Sequence, residues 1–192
     1  MCMKIQGEML MPELLIGWAS GDITPSRPAM LKGQWHVRVS THVEDPLTAT
    51  ALAIKTSGIK PEQAILLSCD LCCIPAQLQE RVRDSVRRRL PALDPLKLLL
   101  NATHTHTAPE MEDGWYPHPG GNIMTPAEYS EFLVERIAEV AIEASNGCKP
   151  GGVSWALSHA VVGHNRRVTY FGGNSVMYGK TDVQDFDHIE GY

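Results

Sequence analysis

Residues 64–101 read AILLSCDLCCIPAQLQERVRDSVRRRLPALDPLKLLLN. Positions 64–69 are an apolar run of strand length, and Asp70 stands at its end. At Pro75 the period changes. Leu78, Val82, Val86 and Leu90 recur every four residues, which predicts an amphipathic helix with proline in its first turn. Arg81, Arg83, Arg87, Arg88 and Arg89 fill much of its other side. They read as a solvated helix face, with phosphate binding the sharper alternative. Residues 96–101 return to a very apolar strand, which predicts a central strand covered on both sides. Strand, helix, strand places the chain among α/β proteins.

Working outward, 14–18 is a short apolar strand running into a turn at Gly21-Asp22-Ile23-Thr24-Pro25. Residues 35–40 (WHVRVS) alternate as a strand, with His36, Arg38 and Ser40 on one face. Residues 48–56 are rich in Ala and Thr and end at the turn pair Ser57-Gly58. Residues 108–124 form a loop rich in Pro and Gly. Thr125-Pro126-Ala127-Glu128 is a capping box. It opens a helix carrying Tyr129, Phe132, Leu133, Ile137, Val140 and Ala144 on one face and closing at Asn146-Gly147. Residues 153–161 alternate as a further strand. Residues 171–192 offer turns but no closing element, so they read as an ordered functional loop or as the sign of a cut chain. The expected fold is a layered mixed β-sheet with packed helices, without repeats or a clear linker.

The chain has 192 residues, of which 43% are hydrophobic and 20% charged, with a net charge of −5. That composition suits one globular domain and argues against a nucleic-acid partner, which wants a basic face. No apolar run approaches a transmembrane segment. The first residues lack the long apolar core of a secretory signal, and the five cysteines are odd in number. Cytoplasmic residence is the expectation. Cys69, Cys72 and Cys73 read as buried small side chains, with half a metal site the alternative for Cys72 and Cys73.

The sharpest chemistry is His104-Thr105-His106 behind the strand at 96–101. If the strand persists, both imidazoles point to one side. They then share a metal, or divide into a ligand and a proton carrier. The pattern is not that of metallo-β-lactamase-like hydrolases, which need Asp and His where Ala108 and Pro109 stand. Nor does it suit amidohydrolase barrels, whose pair lies on the first strand. His36 lies on a polar strand face as a structural or a pocket residue. Asp22 and Asp70 are turn-makers or functional acids. Asn165-Arg166-Arg167 is a basic group suited to a carboxylate or a developing oxyanion, with salt bridging the simpler use.

In order, GWASGDITP at 17–25, His36-Val37-Arg38, Leu67-Ser68-Cys69-Asp70-Leu71, Asn101-Ala102-Thr103-His104-Thr105-His106-Thr107 and Asn165-Arg166 resemble the N-terminal part of the neutral/alkaline non-lysosomal ceramidases. The resemblance runs from about Leu14 to the chain end, behind an extension at 1–13. It implies a zinc-dependent hydrolase acting on a ceramide-like or other lipid or small-molecule amide. His104 would be a Zn2+ ligand, His106 and Arg166 would act at the reacting centre, and His36 would line the substrate pocket. It also implies that the remaining zinc ligands lie beyond residue 192; His188 is available, but no spacing brings it to His104. The sequence departs from the family pattern at Thr107-Ala108-Pro109-Glu110, where the family has Ser/Thr-Gly-Pro-Gly. The alternative is a non-catalytic or differently specific homologue that binds a small ligand. A metal-free α/β domain in which the two histidines only pack is a third reading.

Overall fold

A computed structural model describes residues 13–160, 162–163 and 165–191. The extension at 1–13, except Glu13, lies outside the described residues, as do Val161, His164 and Tyr192. Two compact units divide between Gly152 and Val153.

The first unit is built on a sheet of β1 (Leu14–Asp22), β2 (Thr48–Thr56), β3 (Gln63–Cys69), β4 (Leu98–Ala102) and β5 (Lys149–Pro150). Its order is β4-β3-β2-β1-β5. Only β3 and β4 run parallel. Helix α1 (Ala76–Arg89) links them, as a parallel crossover requires. Helix α2 (Pro126–Asn146) lies beside α1 and packs on β1 and β2. The sheet is therefore mixed and the architecture layered α/β, as read from the sequence.

The alternation of β1 to β3 explains the layering. Ala19, Ala49, Ala51, Ala53, Ile65 and Leu67 are buried, and so are Val82 of α1 and Leu133, Ile137 and Ala144 of α2. Burying each such Leu or Ile contributes about 1.5–3 kcal/mol. The small residues of β1 and β2 let α2 lie close. A Cβ on Gly17 would fall 1.9 Å from the Ala144 carbonyl oxygen. The capping box of α2 is complete. Thr125 Oγ1 accepts from the Glu128 amide at 3.2 Å, and Glu128 Oε2 accepts from the Thr125 amide at 2.8 Å. Four of the five arginines of α1 are committed: Arg81 pairs with Glu131, Arg89 with Glu135 and Arg87 with Asp84, and Arg83 donates to the Leu98 carbonyl. That leaves the phosphate reading without support.

Four expectations are corrected. First, β4 is an edge strand, not a central one. Leu98 enters the core, but Leu99 is 51% exposed. Leu99 ends a cross-strand row of Trp18, Leu52, Leu66 and Leu99 on the sheet face opposite the helices. The run is apolar because the sheet carries large side chains on both faces. Second, residues 35–40 form no strand. Met30 pairs with Val39 in a single bridge, and Trp35 is 98% exposed, so the alternation has no apolar face to bury.

Third, residues 153–160 form no strand either. Trp155 and Leu157 are exposed there, without a ladder partner among the described residues. Fourth, the turn-rich tail does contain strands. In the second unit, β6 (Arg167–Tyr170) pairs antiparallel with β7 (Ser175–Met177) and β8 (Phe186–Ile189). These strands have only three or four residues, too short for a period to emerge from the surrounding glycines.

No helix among the described residues is long and apolar enough to cross a membrane.

Candidate metal centre

The C-terminal ends of β3 and β4 lie side by side, with Cys69 opposite Ala102. Ligand sites in parallel α/β sheets form at such ends. Pairing continues beyond the strands. The Thr103 amide donates to the Cys69 carbonyl at 2.9 Å, and the His104 amide to the Leu71 carbonyl at 3.0 Å. Asp70 fastens this corner. Its carboxylate accepts from the Thr48 amide at 2.9 Å, the Thr48 hydroxyl at 2.8 Å and the Thr103 hydroxyl at 3.2 Å. Through Thr103 it holds the residue that precedes His104.

The strand does not persist into the histidine motif. His104 sits at φ 65°, in the left-handed region that non-glycine residues rarely adopt. This turn, rather than strand alternation, brings the two imidazoles together. His104 and His106 approach to 3.3 Å between their Nε2 atoms, with ring planes at 77°. His104 Nδ1–H donates to the Cys72 carbonyl at 2.6 Å, which leaves Nε2 with its lone pair outward. Cys72 itself is buried, and one ligating atom each of Cys72, His104 and His106 lies within 4.8 Å of the others. Two nitrogens bound to a tetrahedral zinc stand about 3.3–3.4 Å apart. The imidazole spacing fits that ion.

The His106 side is held by a second set of residues. Arg38 Nη2 donates to the His106 carbonyl at 2.5 Å and to the Lys32 carbonyl at 2.9 Å. The His106 ring fills the space over Gly33, where a Cβ would lie 2.4 Å from its Cγ. Lys32 reaches the carboxylate of Glu110 at 2.8 and 3.1 Å, and their side chains are 13% and 1% exposed. Glu110 also accepts from the amides of Met111 and Glu112. Burial alone would lower the pKa of Lys32, but the hydrogen bond and charge of Glu110 outweigh it and raise it. The acid at position 110 thus anchors its loop to the 29–33 segment.

Burial pushes the Cys69 thiol up to about 12, and it also raises Cys73. Cys69 is core packing, as expected. A cleft of about 740 Å³ opens beside the motif, lined by Arg27, His42, Leu47, Asp70, Thr105 and Thr107 among others.

Of the residues singled out in the sequence, the first unit brings His104 and His106 together, with Cys72 beside them. His36 is exposed in the bend before Arg38. Asp22 makes an Asx turn with the Thr24 amide at 2.7 Å, and hydrogen bonds from Thr24 lower its pKa. In the second unit, Arg166 stacks on Tyr178, with its Cζ 4.8 Å from the ring centroid, and Arg167 pairs with Glu190. His188 lies on β8 beside Asp187. Sequence reasoning held Cys72 only as the alternative of half a metal site, and it missed the parts played by Arg38, Gly33 and Lys32. Arg38 stood next to the flagged His36; nothing marked Gly33 or Lys32.

No model of a known protein family matches the chain, and no curated protein does. Among solved structures, it is similar to the neutral ceramidase from Pseudomonas aeruginosa, at 18% identity and a TM-score of 0.58. It is also similar to a ceramidase complexed with C2, at 16% identity and a TM-score of 0.56. Each likeness covers 82% of this chain and 23% of the other. The chain therefore spans about a quarter of the length of those structures, and what it shares with them is the fold.

Proposed function

We propose that the chain carries part of the metal site of a zinc-dependent hydrolase acting on a ceramide-like or other lipid or small-molecule amide. The observation that carries this reading is the 3.3 Å approach of the His104 and His106 Nε2 atoms, in a fold shared with ceramidases. Residues 14–192 are then the N-terminal portion of a larger catalytic region. The partial coverage of the neighbours and the open row of Trp18, Leu66 and Leu99 support this. The free thiols of Cys69, Cys72, Cys73 and Cys148 suit a reducing compartment such as the cytoplasm.

His104 is the ligand, because its Nδ1–H is tied to the Cys72 carbonyl and its Nε2 is aimed. A bound zinc would supply polarisation of the amide carbonyl. His106 Nε2–H donates to His104 Nε2 while that lone pair is free. When the lone pair is engaged, His106 is released to hydrogen-bond the substrate and carry a proton. Arg166 steadies the charge that develops on the substrate oxygen. In its favour, Arg167 is occupied by Glu190, whereas Arg166 has no carboxylate partner among the described residues. His36, exposed before Arg38, contacts substrate at the rim.

The test is zinc content and hydrolysis of a fluorescent N-acylsphingosine by the full-length protein. His104→Ala should lose zinc, and His106→Ala should keep most zinc but lose turnover. Arg166→Ala should lose about 10²–10³ in rate and Arg167→Ala far less. Zinc retained in His104→Ala at the wild-type level overturns the site. Tight zinc without hydrolysis of any amide would establish the ligand-binding alternative instead.

A further inference from the structure

We infer that Cys72 is a thiolate ligand to the same cation as His104, so that this corner of the fold is a sulfur-bearing transition-metal site. The inference rests on the metal site proposed above but assigns it a donor that the His-x-His motif does not contain.

Three observations support it. Cys72, His104 and His106 are the one set of three potential ligands that converge among the described residues, all within 4.8 Å. A sulfur and a nitrogen on one tetrahedral zinc stand about 3.5 Å apart, which lies inside that 4.8 Å limit. The same residue already fixes His104: the Cys72 carbonyl accepts from His104 Nδ1–H at 2.6 Å. Backbone and side chain of Cys72 thus act on one imidazole, the first as orienting partner and the second as fellow donor. Third, the neighbouring thiols do not compete. Neither Cys69 nor Cys73 belongs to the converging set.

Binding transfers the Cys72 thiol proton to solvent, and a sulfur lone pair forms the bond to the cation, with no change in oxidation state. A thiolate donor selects zinc, cobalt or cadmium over magnesium or calcium, which prefer oxygen ligands. His106 lies beside the ion as the group released on binding.

Cobalt(II) added to the full-length chain provides the probe. A thiolate-to-cobalt charge-transfer band in the near ultraviolet should appear, saturate at about one cobalt per chain and vanish on adding zinc. Cys73→Ser and His106→Ala should keep the band. Cys72→Ser should abolish it and weaken cobalt binding at least about tenfold. A band that persists in Cys72→Ser, or cobalt bound by the wild type without any band, overturns the inference. Because Cys72 is buried, X-ray absorption of the zinc-loaded wild type gives a test that needs no variant. One sulfur at about 2.3 Å supports the assignment, and none refutes it. The two readings fail separately. Sulfur ligation without amide hydrolysis keeps Cys72 and removes the hydrolase, whereas hydrolysis with zinc lacking sulfur does the reverse.

Discussion

Gly33→Ala gives a direct test of how His106 is positioned. Gly33 sits at φ +102°, where alanine is strained by about 1–3 kcal/mol. Strain is only half of the effect. The added Cβ would lie 2.4 Å from His106 Cγ and 2.8 Å from Cδ2 and Nδ1, whereas ordinary contact begins at 3.4 Å. The ring must retreat by about 1 Å. His106 cannot retreat by moving its backbone, because Arg38 holds its carbonyl. The ring therefore turns away, and the 3.3 Å approach to His104 is lost. Gly114→Ala is the matched control. Gly114 has φ +92°, but its Cβ would meet nothing within 4 Å. Urea denaturation should show both variants losing about 1–3 kcal/mol. Zinc content should be alike in the two, because His104 is the ligand; hydrolysis by the full-length protein should separate them, with the rate falling about 10²–10⁴-fold in Gly33→Ala only, as when a proton carrier is displaced. Equal turnover in the two variants would refute the claim that Gly33 makes room for His106.

Two further predictions follow from buried charge and from a helix cap. Lys32→Met leaves the Glu110 carboxylate buried and unpaired and should cost about 3–5 kcal/mol, while Lys32→Met/Glu110→Gln should recover much of the loss; additive losses in urea denaturation would show that the pair is not coupled. The Glu128 carboxyl is held at about 2, below the usual 4.5, by hydrogen bonds from the Thr125 amide and hydroxyl and by Arg27. Its folded value is the lower one, so its contribution is full above pH 4.5 and disappears towards pH 2. The stability difference between wild type and Glu128→Gln should shrink across that window, and a pH-independent difference contradicts the cap.

The parts of the fold that could be read in the sequence are those where a local rule and burial agree. Thr125 and Glu128 announce α2 because the capping box is complete in four residues. Leu78, Val82 and Val86 announce α1 because their spacing faces a real core. The reading failed where a pattern lacked a partner. Val37 and Val39 alternate like a strand, yet only one bridge joins that segment to Met30. Trp155 and Leu157 alternate without a sheet to join among the described residues. In 96–101, hydrophobicity reported large side chains on both sheet faces but not the strand's place at the edge. The candidate site divides in the same way. The His-x-His spacing is local and visible. Cys72 lies 32 residues away, Arg38 is 68 residues from His106, and the Lys32–Glu110 pair spans 78. These are joined only by the adjacency of β3 and β4 and by the 29–33 segment folding over the loop.

The conformation of His104 decides between an accidental imidazole pair and a built one. A side chain at φ 65° costs about 1–3 kcal/mol and persists only when its surroundings over-determine it. Here they do. The His104 amide is bound to Leu71, its ring to Cys72, and the preceding Thr103 to both Cys69 and Asp70. None of these bonds needs the second histidine. They would hold His104 in place with any residue at position 106. Yet His106 is fixed independently, by Arg38 on its carbonyl and by the gap at Gly33 under its ring. Two separate supports, drawn from opposite sides of the loop, converge on a nitrogen–nitrogen distance that matches two ligands, or a ligand and its proton partner, around one small cation. Packing alone requires neither the strained turn nor the missing side chain at position 33.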